Sequence, residues 1–248
     1  MSSKEKNNLA VVILAAGKGT RMKSNLPKVL HKLNDKPMIS HVIQRALDLK
    51  ANKIISIIGY KHKLVEESLS HENTDFVIQE QQLGTGHAVL QCANQLSNFE
   101  GSVLVLSGDV PTITCKTLKA LLKTHQNSKT KATILSAVVD DASGYGRVIR
   151  NNDGTLKHIV EHKDANSNEL LIKEMNAGIY VFDCKTLFKL LPSVGNNNNQ
   201  SEYYLPDVLS LIINNGDNVA IEKTDNIDEI QGVNNIQQLK VLSEKFNV

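Results

Sequence analysis

A run of small residues near the start of the sequence, with two cations beside it, has a composition suited to binding phosphate. Small residues leave backbone N–H groups uncovered, so a phosphate or a base can approach them closely. Arg21 adds a planar fork for phosphate oxygens, and Lys28 adds a mobile point charge. We predict a loop for a phosphorylated ligand, and an ordinary turn with unrelated basic residues is the alternative. The segment consists of Leu14-Ala15-Ala16-Gly17-Lys18-Gly19-Thr20-Arg21-Met22, with Pro27-Lys28 after it.

Two common phosphate-binding motifs do not fit this run. A dinucleotide-binding fingerprint needs a third small residue where Met22 stands. A Walker A loop needs a Gly-Lys-Ser/Thr sequence, which the run lacks. The predicted loop is therefore of another kind.

A carboxylate follows a second apolar run. Residues 103–106 are aliphatic, and Ser107, Gly108 and Asp109 come directly after them. Mg²⁺ is commonly bound by one or two carboxylates together with waters and substrate phosphates. Asp109 is therefore a candidate ligand for a hard cation, with capping of the next turn or helix as the alternative.

Amide side chains and glycines mark a third segment, which extends from Gln79 to Ala88. An amide carries both donors and an acceptor, which suits the edge of a pyrimidine base. Gly84 and Gly86 allow close approach of the backbone. Capping of the following helix explains Thr85 alone, but it does not explain the whole segment. A base-binding role is therefore predicted.

Apolar runs and helix-period segments alternate along the first half of the chain and predict the frame that holds these loops. Strands are predicted at residues 9–14, 53–58, 76–78 and 103–106, and helices at 38–49, 64–69, 88–96 and 118–125. The alternation predicts an α/β fold in which helices flank a mostly parallel central sheet. Ligands bind such sheets beyond the carboxyl ends of the strands, where all three segments lie.

The second half of the chain is less regular. Strands are predicted at residues 132–139 and 179–182, and a hairpin at 147–150 and 156–160 around Asp153-Gly154. Residues 193–200 include four consecutive asparagines and predict a mobile loop. A final helix at 236–246 is expected to pack on the domain through its apolar residues, Ile236, Leu239, Val241, Leu242 and Phe246.

Composition narrows the class of protein. Lys and Arg number 28 against 26 Asp and Glu in 248 residues, so the basic face of a dedicated nucleic-acid binder is not expected. Residues 1–8 are polar, and no apolar run approaches the ~20 residues that span a bilayer. Cys92, Cys115 and Cys184 have neither disulfide nor metal-binding spacing. We expect a cytoplasmic protein with no nucleic-acid and no membrane partner.

Together these segments resemble the uridylyltransferase domain of the bifunctional bacterial enzyme that makes UDP-N-acetylglucosamine. The resemblance extends over nearly the whole chain, from Leu9 to Leu239. The first run marks the wider sugar-nucleotide transferase superfamily, and several later motifs are more specific to this branch. Those after the first run are Leu26-Pro27-Lys28-Val29-Leu30-His31, Gln82-Leu83-Gly84-Thr85-Gly86-His87-Ala88, Gly108-Asp109-Val110-Pro111, Gly144-Tyr145-Gly146-Arg147, Val160-Glu161-His162-Lys163-Asp164-Ala165, Glu202-Tyr203-Tyr204 and Gly232-Val233-Asn234-Asn235.

The resemblance implies a Rossmann-like nucleotide-diphospho-sugar transferase fold, with a smaller, hairpin-containing part for the sugar. The implied reaction transfers UMP from UTP to N-acetylglucosamine 1-phosphate, with Mg²⁺ as cofactor, for cell-wall precursor synthesis. The transferase domain would cover residues 9–234, after a disordered tail at 1–8 and before a C-terminal helix at 235–248.

The resemblance also implies roles for individual residues. Arg21, Lys28 and Asp109 would be catalytic, and Asp109 and Asn234 would hold Mg²⁺. Gln79, Gly84 and Thr85 would contact the uridine, and Gly146, Glu161 and Asn176 the N-acetylglucosamine moiety. The remaining substrate contacts would be Leu14, Ala15, Ala16, Gly17, Lys28, Ser107, Gly108, Asp109 and Asn234.

The sequence departs from the family pattern at several points. Ser107 stands where the family usually has Tyr, Ala177 where it has Thr, and Gln231 where it has Glu. The family's hexapeptide-repeat acetyltransferase domain is absent from this sequence, so we expect uridylyl transfer without acetyl transfer, and a monomer or weak dimer. Two alternatives stay open: a nucleotidyltransferase for another sugar 1-phosphate or for dTTP, and a non-catalytic nucleotide-sugar sensor. A sensor would be expected to lose Arg21, Lys28 or Asp109.

Overall fold

A central β-sheet separates two layers of helices in the computed structural model, which describes residues 8–246 and the side chains of residues 8–245. Nine strands of the described residues form this sheet: β1 (Leu9–Ala15), β4 (Lys53–Ile58), β5 (Asp75–Ile78), β6 (Ser102–Ser107), β7 (Ala132–Val138), β8 (Arg147–Arg150), β9 (Leu156–Val160), β10 (Glu174–Asp183) and β11 (Val219–Lys223). A separate hairpin pairs β2 (Lys32–Leu33) with β3 (Lys36–Pro37). The α-helices are α1 (Met38–Asp48), α2 (His62–Ser68), α3 (Thr85–Leu90), α4 (Cys115–Ser128), α5 (Ser167–Leu170), α6 (Cys184–Leu190), α7 (Asp207–Asn214) and α8 (Ile236–Phe246).

The strand β1 explains why the first apolar run is unbroken. Val11 and Ile13 pack into the core on one face of the sheet, and Ala10 and Val12 into the core on the other. Strands β4 and β6 pair with β1 in parallel on either side. A strand buried on both faces needs apolar residues at every position rather than at alternate positions. The residues that follow β1 therefore leave the sheet near its centre.

The sheet is mixed rather than parallel throughout. Its order is β11-β7-β10-β6-β1-β4-β5, and β10 runs antiparallel to both of its neighbours. The chain reaches β10 from β7 through the β8–β9 hairpin and the short helix α5, without a long crossover helix. Antiparallel neighbours need no such crossover. The predicted hairpin is confirmed at its predicted bounds, and Gly154 has φ 84° in its turn.

Several predicted element bounds are wrong, and some elements were not predicted. The helix expected at residues 88–96 begins at Thr85 and ends at Leu90, after which turns continue the chain. The helices α6 and α7 and the edge strand β11 were not predicted, because the second half of the chain shows weak hydrophobic periodicity. The strand β11 is only half-buried, so it lacks the apolar alternation of a central strand.

The C-terminal helix packs on the rest of the chain through part of its apolar face. Leu239 and Leu242 are buried in a small core with Met22 and Val233. The prediction for Ile236 and Val241 is wrong, since each is 49% exposed. The side chain of Phe246 lies outside the described residues, as does most of the tail predicted at residues 1–8. Within residues 8–246, no helix combines the length and the apolar character that crossing a bilayer requires.

Candidate functional site

The loops that leave β1, β5 and β6 surround a cavity of about 260 Å³. Gly108 N donates to Leu14 O at 2.9 Å, which joins the chain after β6 to β1, and Gln79 N donates to Ile58 O at 2.8 Å, which joins the chain after β5 to the end of β4. Most of the predicted nucleotide contacts lie on this one cavity. Its lining consists of Leu14, Ala15, Ala16, Gly17, Lys28, Val29, Gln79, Gln82, Gly84, Thr85, Ala88, Ser107, Asp109 and Glu202.

The glycines of the first loop serve two different needs. No atom lies within 4 Å of a Cβ built on Gly17, so its backbone borders open space that a ligand can occupy. Gly19 has φ +61°, and a Cβ there would lie 2.4 Å from the Cβ of Lys28. Gly19 therefore lets the chain pass closely beside Lys28, and Gly17 is the one that leaves room for a ligand.

Two cations and two oxygen-bearing side chains meet at one end of the cavity. Lys28 Nζ forms an ion pair with Asp109 and also donates to Asn234 Oδ1 at 3.2 Å. Arg21 Nη2 donates to the same Asn234 oxygen at 2.8 Å. Val233 N donates to Asp109 O at 2.9 Å, which fixes the Gly-Val-Asn-Asn segment against the loop after β6. The structure thus brings together all four residues predicted for catalysis and metal binding.

The arrangement of Asp109 and Asn234 fits a hard cation. A carboxylate oxygen and an amide oxygen both contact the Lys28 ammonium, so the two converge on one positive charge. Within residues 8–246, no group of three or more His, Cys, Asp or Glu side chains could hold a metal ion. Two oxygen ligands suit Mg²⁺, which keeps several waters and completes its shell with substrate phosphates.

The glycines of the third segment face protein rather than open space. A Cβ on Gly84 would lie 2.6 Å from Tyr203 O, and Gly86 N donates to that same oxygen at 2.8 Å. Thr85 does not cap the helix, which was the alternative to a binding role: Gly84 is the N-cap residue of α3, and the Thr85 hydroxyl accepts from Leu205 N at 3.0 Å. The segment around Tyr203 therefore supports the loop predicted to contact uridine.

The three residues predicted to contact the sugar lie together, outside the lining of this cavity. Asn176 N donates to Gly146 O at 2.9 Å, and Asn176 Nδ2 donates to the Tyr180 hydroxyl at 2.6 Å. A Cβ on Gly146 would lie 3.4 Å from Glu161 Oε1. Glu161 lines a second cavity, of about 310 Å³. The hairpin β8–β9 and the strand β10 place this group.

Glu161 lies in an unusually acidic environment. Burial, followed by the charges of Asp164, Asp207 and Glu202, raises the pKa of Glu161 from its ordinary 4.5 to about 7. Asp164 has donors of its own: Asn199 N at 2.8 Å and the Tyr204 hydroxyl at 3.1 Å. Near neutral pH, a substantial share of Glu161 therefore carries a proton and can donate a hydrogen bond.

Two residues of the family motifs, Tyr145 and Glu202, lie at the site although no role there was predicted for them. The Tyr145 hydroxyl faces Asp109 and the backbone of Gly232; burial and then the Asp109 charge raise the pKa of Tyr145. Glu202 lines the cavity. Tyr145 belongs to the Gly-Tyr-Gly-Arg motif and Glu202 to the Glu-Tyr-Tyr motif. Membership of these motifs is the sequence feature that could have marked both residues as functional.

The departures from the family pattern occupy different surroundings. Ser107 is half-buried and lines the cavity. Ala177 is buried in the core beneath the sheet. Gln231 is exposed and borders a separate cleft between Arg21 and α8. Among the three, Ser107 alone lies on the cavity that the nucleotide loops surround.

Several known proteins are similar to this chain in sequence. The family described as Nucleotidyl transferase matches residues 10–228. The bifunctional protein GlmU of Bacillus cereus (strain AH187) is 48% identical over 228 residues, 92% of this chain and 50% of that protein. GlmU proteins of Bacillus thuringiensis (strain Al Hakam) and Bacillus anthracis (strain CDC 684 / NRRL 3495) match to the same extent. The chain spans about half the length of the curated relatives it matches.

Solved structures show the same fold. A UDP-glucose pyrophosphorylase complexed with UDP-glucose superposes with a TM-score of 0.78 at 19% identity, over 97% of this chain and 98% of that one. A putative glucose-1-phosphate thymidylyltransferase from Bacillus anthracis gives 0.73 at 19% identity, over 96% and 94%. The predicted fold class is confirmed. With most of its length matched by the family pattern, the chain belongs to the nucleotidyl transferase family.

Proposed function

We propose that this chain transfers UMP from UTP to N-acetylglucosamine 1-phosphate, forming UDP-N-acetylglucosamine and pyrophosphate. The observation that carries the proposal is the meeting of Arg21, Lys28, Asp109 and Asn234 beside the small-residue loop. The 48% identity to bifunctional GlmU proteins supports the choice of nucleotide and sugar. A role in supplying cell-wall precursors follows from the proposed product.

In the proposed reaction, a phosphate oxygen of the sugar phosphate attacks the α-phosphorus of UTP. The bond from that phosphorus to the oxygen bridging to the β-phosphate breaks, and pyrophosphate leaves. Little covalent chemistry falls to the protein in such transfers, so positioning and charge stabilisation dominate. The small residues after β1 would bind the nucleotide through their backbone, while Arg21 and Lys28 would stabilise the charge that develops on the leaving pyrophosphate.

Asp109 and Asn234 would hold Mg²⁺ in this proposal. When bound, the metal would neutralise charge between the carboxylate and the triphosphate and would polarise phosphate oxygens. An anionic Asp109 close to a triphosphate would otherwise oppose binding. The proposed location is the cytoplasm, in agreement with three free cysteines, of which Cys92 and Cys184 are buried.

A second candidate is transfer to a different sugar 1-phosphate or from dTTP. Ser107 favours it, because this short side chain lines the cavity where the resembling family usually has Tyr. A missing aromatic ring changes both the volume and the stacking surface available to a substrate.

Pyrophosphate release tests these functions directly. The purified chain is supplied with UTP, dTTP or CTP, each paired with N-acetylglucosamine 1-phosphate or glucose 1-phosphate. We expect the highest kcat/KM for UTP with N-acetylglucosamine 1-phosphate, since a site built to bond the acetamido group leaves polar groups unpaired with glucose. Equal efficiency with glucose 1-phosphate would favour the second candidate. Nucleotide-sugar binding without any release would identify a sensor.

A further inference from the structure

The amide of Gln79 is fixed in one orientation by its neighbours. Gln79 Nε2 donates to Gly84 O at 3.1 Å and lies 3.0 Å from His87 Nδ1. A backbone carbonyl can only accept, so the group facing Gly84 must be the NH2 and not the oxygen. The side chain is 3% exposed, which leaves little space for the amide to turn.

The ring of His87 must then accept at Nδ1. A neutral imidazole has one acceptor nitrogen and one N–H, which places the proton of His87 on Nε2. Gln91 Nε2 donates one proton to the His87 carbonyl at 3.0 Å and lies 3.2 Å from the ring Nε2. The Gln79 amide, at 3.0 Å, is the closer and the more buried of the two amides that face the ring, so its contact decides which ring nitrogen accepts. The ring also packs near Tyr203, with centroids 6.3 Å apart. His87 is thereby held on α3 with its acceptor directed at Gln79.

With both amide protons engaged, Gln79 has one polar side-chain atom left, Oε1. Among the hydrogen bonds of residues 8–246, none is donated to this oxygen, and it is not one of the unpartnered atoms sealed from solvent. Gln79 lines the 260 Å³ cavity, so Oε1 is the amide atom available to a ligand there. An acceptor in this position suits a base with an N3–H group, such as uracil, and opposes cytosine, whose N3 carries a lone pair.

The geometry points to His87 as a positioning residue that sets base selectivity by holding Gln79 with its oxygen toward the base. This inference rests on the proposed nucleotide site. Without the Nδ1 acceptor, one amide proton of Gln79 loses its partner, and the amide can turn its NH2 toward the cavity. Uracil would then be bound less well and cytosine better.

Three substitutions at position 87 separate hydrogen bonding from packing. His87→Asn places an amide oxygen where Nδ1 lies, and His87→Leu removes the acceptor. His87→Gln places its polar atoms near Nε2 instead and serves as the disruptive variant if the leucine protein does not fold. Gln91→Leu is the matched control, because it contacts the same ring from the other side.

Binding of UDP and of CDP, measured by titration calorimetry without sugar phosphate, is the test. We expect His87→Leu and His87→Gln to reduce the UDP-over-CDP preference by about tenfold, equivalent to ~1.4 kcal/mol. His87→Asn and Gln91→Leu should keep the preference to within about threefold, because the acceptor facing Gln79 remains. With UTP as substrate, KM should rise in His87→Leu while kcat changes little.

An unchanged preference in His87→Leu would overturn the inference, as would an asparagine variant as impaired as the leucine variant. Equal binding of UDP and CDP by the unaltered protein would overturn it as well. A protein that prefers UDP through His87 but releases no pyrophosphate with N-acetylglucosamine 1-phosphate would contradict the proposed function and support this inference.

Discussion

At the scale of single residues, two hydrogen bonds and one ion pair order the four side chains around Lys28. Asn234 accepts from both Arg21 and Lys28, so one amide oxygen holds two cations in place. Asp109 supplies the only negative charge in this group of four, whose net charge is therefore positive. A triphosphate bound as proposed would meet cations whose positions are set in advance, which would reduce the reorganisation needed on binding.

Replacement of Asp109 by Asn removes that single negative charge. We expect turnover to fall at least about 100-fold, because the oxygen ligand and the ion pair with Lys28 are both weakened. Chelation by EDTA should abolish activity and Mg²⁺ should restore it in the unaltered protein. Pyrophosphate release measures both, with Asp225→Asn, an exposed carboxylate, as the control. Full activity in chelator would contradict the metal role.

The Lys28→Met variant keeps the length of the side chain and removes its charge. We expect it to lower kcat/KM by an amount equivalent to roughly 2–4 kcal/mol, the cost of a lost electrostatic contact to a transition state. Lys63→Met, at an exposed position on α2, should leave kcat/KM within a factor of about two. A change below threefold in Lys28→Met would rule out the assigned role.

The raised pKa of Glu161 makes the stability of the folded protein depend on pH. Its native pKa of about 7 lies above the ordinary 4.5, so the native state binds more protons than the unfolded chain between these values. This contribution to stability is complete below about pH 4.5 and is lost as the pH rises through 7. We expect Glu161→Gln to be more stable than the unaltered protein at pH 8, by up to about 3 kcal/mol. Urea unfolding at pH 5 and pH 8 measures this, and identical pH slopes for the two proteins would contradict it.

At the scale of elements, two distant segments support the third loop. The turn before α3 and the residues before α7 are joined by backbone bonds: Tyr203 N donates to Leu83 O at 2.8 Å, and Gly86 N donates to Tyr203 O at 2.8 Å. The pairing resembles a short two-strand ladder without forming a strand in the sheet. The loop predicted to contact the base is thus supported from behind by backbone hydrogen bonds.

Gly84→Ala tests this support. The new Cβ would lie 2.6 Å from Tyr203 O at a residue with φ +109°, so it meets both steric overlap and backbone strain. We expect a loss of stability of about 2 kcal/mol or more, together with weaker UDP binding. Gly195→Ala should change stability by less than about 0.5 kcal/mol, because no atom lies within 4 Å of its Cβ. Thermal unfolding and calorimetry compare the two variants.

The strands that carry the site were predictable, whereas the contacts between distant segments were not. The strand β1 is buried on both faces, so its apolar run is unambiguous, and the ends of β1 and β6 place Gly17 and Asp109 at one edge of the sheet. The contact of Asn234 with Lys28 depends on how the chain returns after β11, and no periodicity records that path. The hydrogen bond that Thr85 accepts from Leu205 was unpredictable for the same reason, since the two residues are 120 positions apart.

At the scale of the whole molecule, the last helix and the first loop share a small core. Leu239 and Leu242 of α8 pack with Met22, which follows Arg21, and with Val233, which precedes Asn234. Two members of the charged cluster are therefore neighbours of buried side chains in this core. We therefore expect the packing of α8 to affect the position of Arg21 as well as the stability of the protein.

Leu242→Ala would create a cavity in this core. We expect a loss of about 2–4 kcal/mol in the free energy of unfolding and a higher KM for UTP, because Arg21 loses support through Met22. Val241→Ala is the matched control: at 49% exposure the side chain should contribute less than about 1 kcal/mol. Urea unfolding and steady-state kinetics test both variants. An unchanged KM in a destabilised Leu242→Ala protein would show that packing in this core does not affect the site.

The hydrogen bond between Arg21 and Asn234 joins residues that are 213 positions apart. A ribosome adding 5–20 residues per second makes the second partner roughly 10–40 s after the first. During that interval the nascent chain carries Arg21 and Lys28 without the amide that later orders them. Synthesis therefore separates the time at which the first loop exists from the time at which the charged cluster is complete.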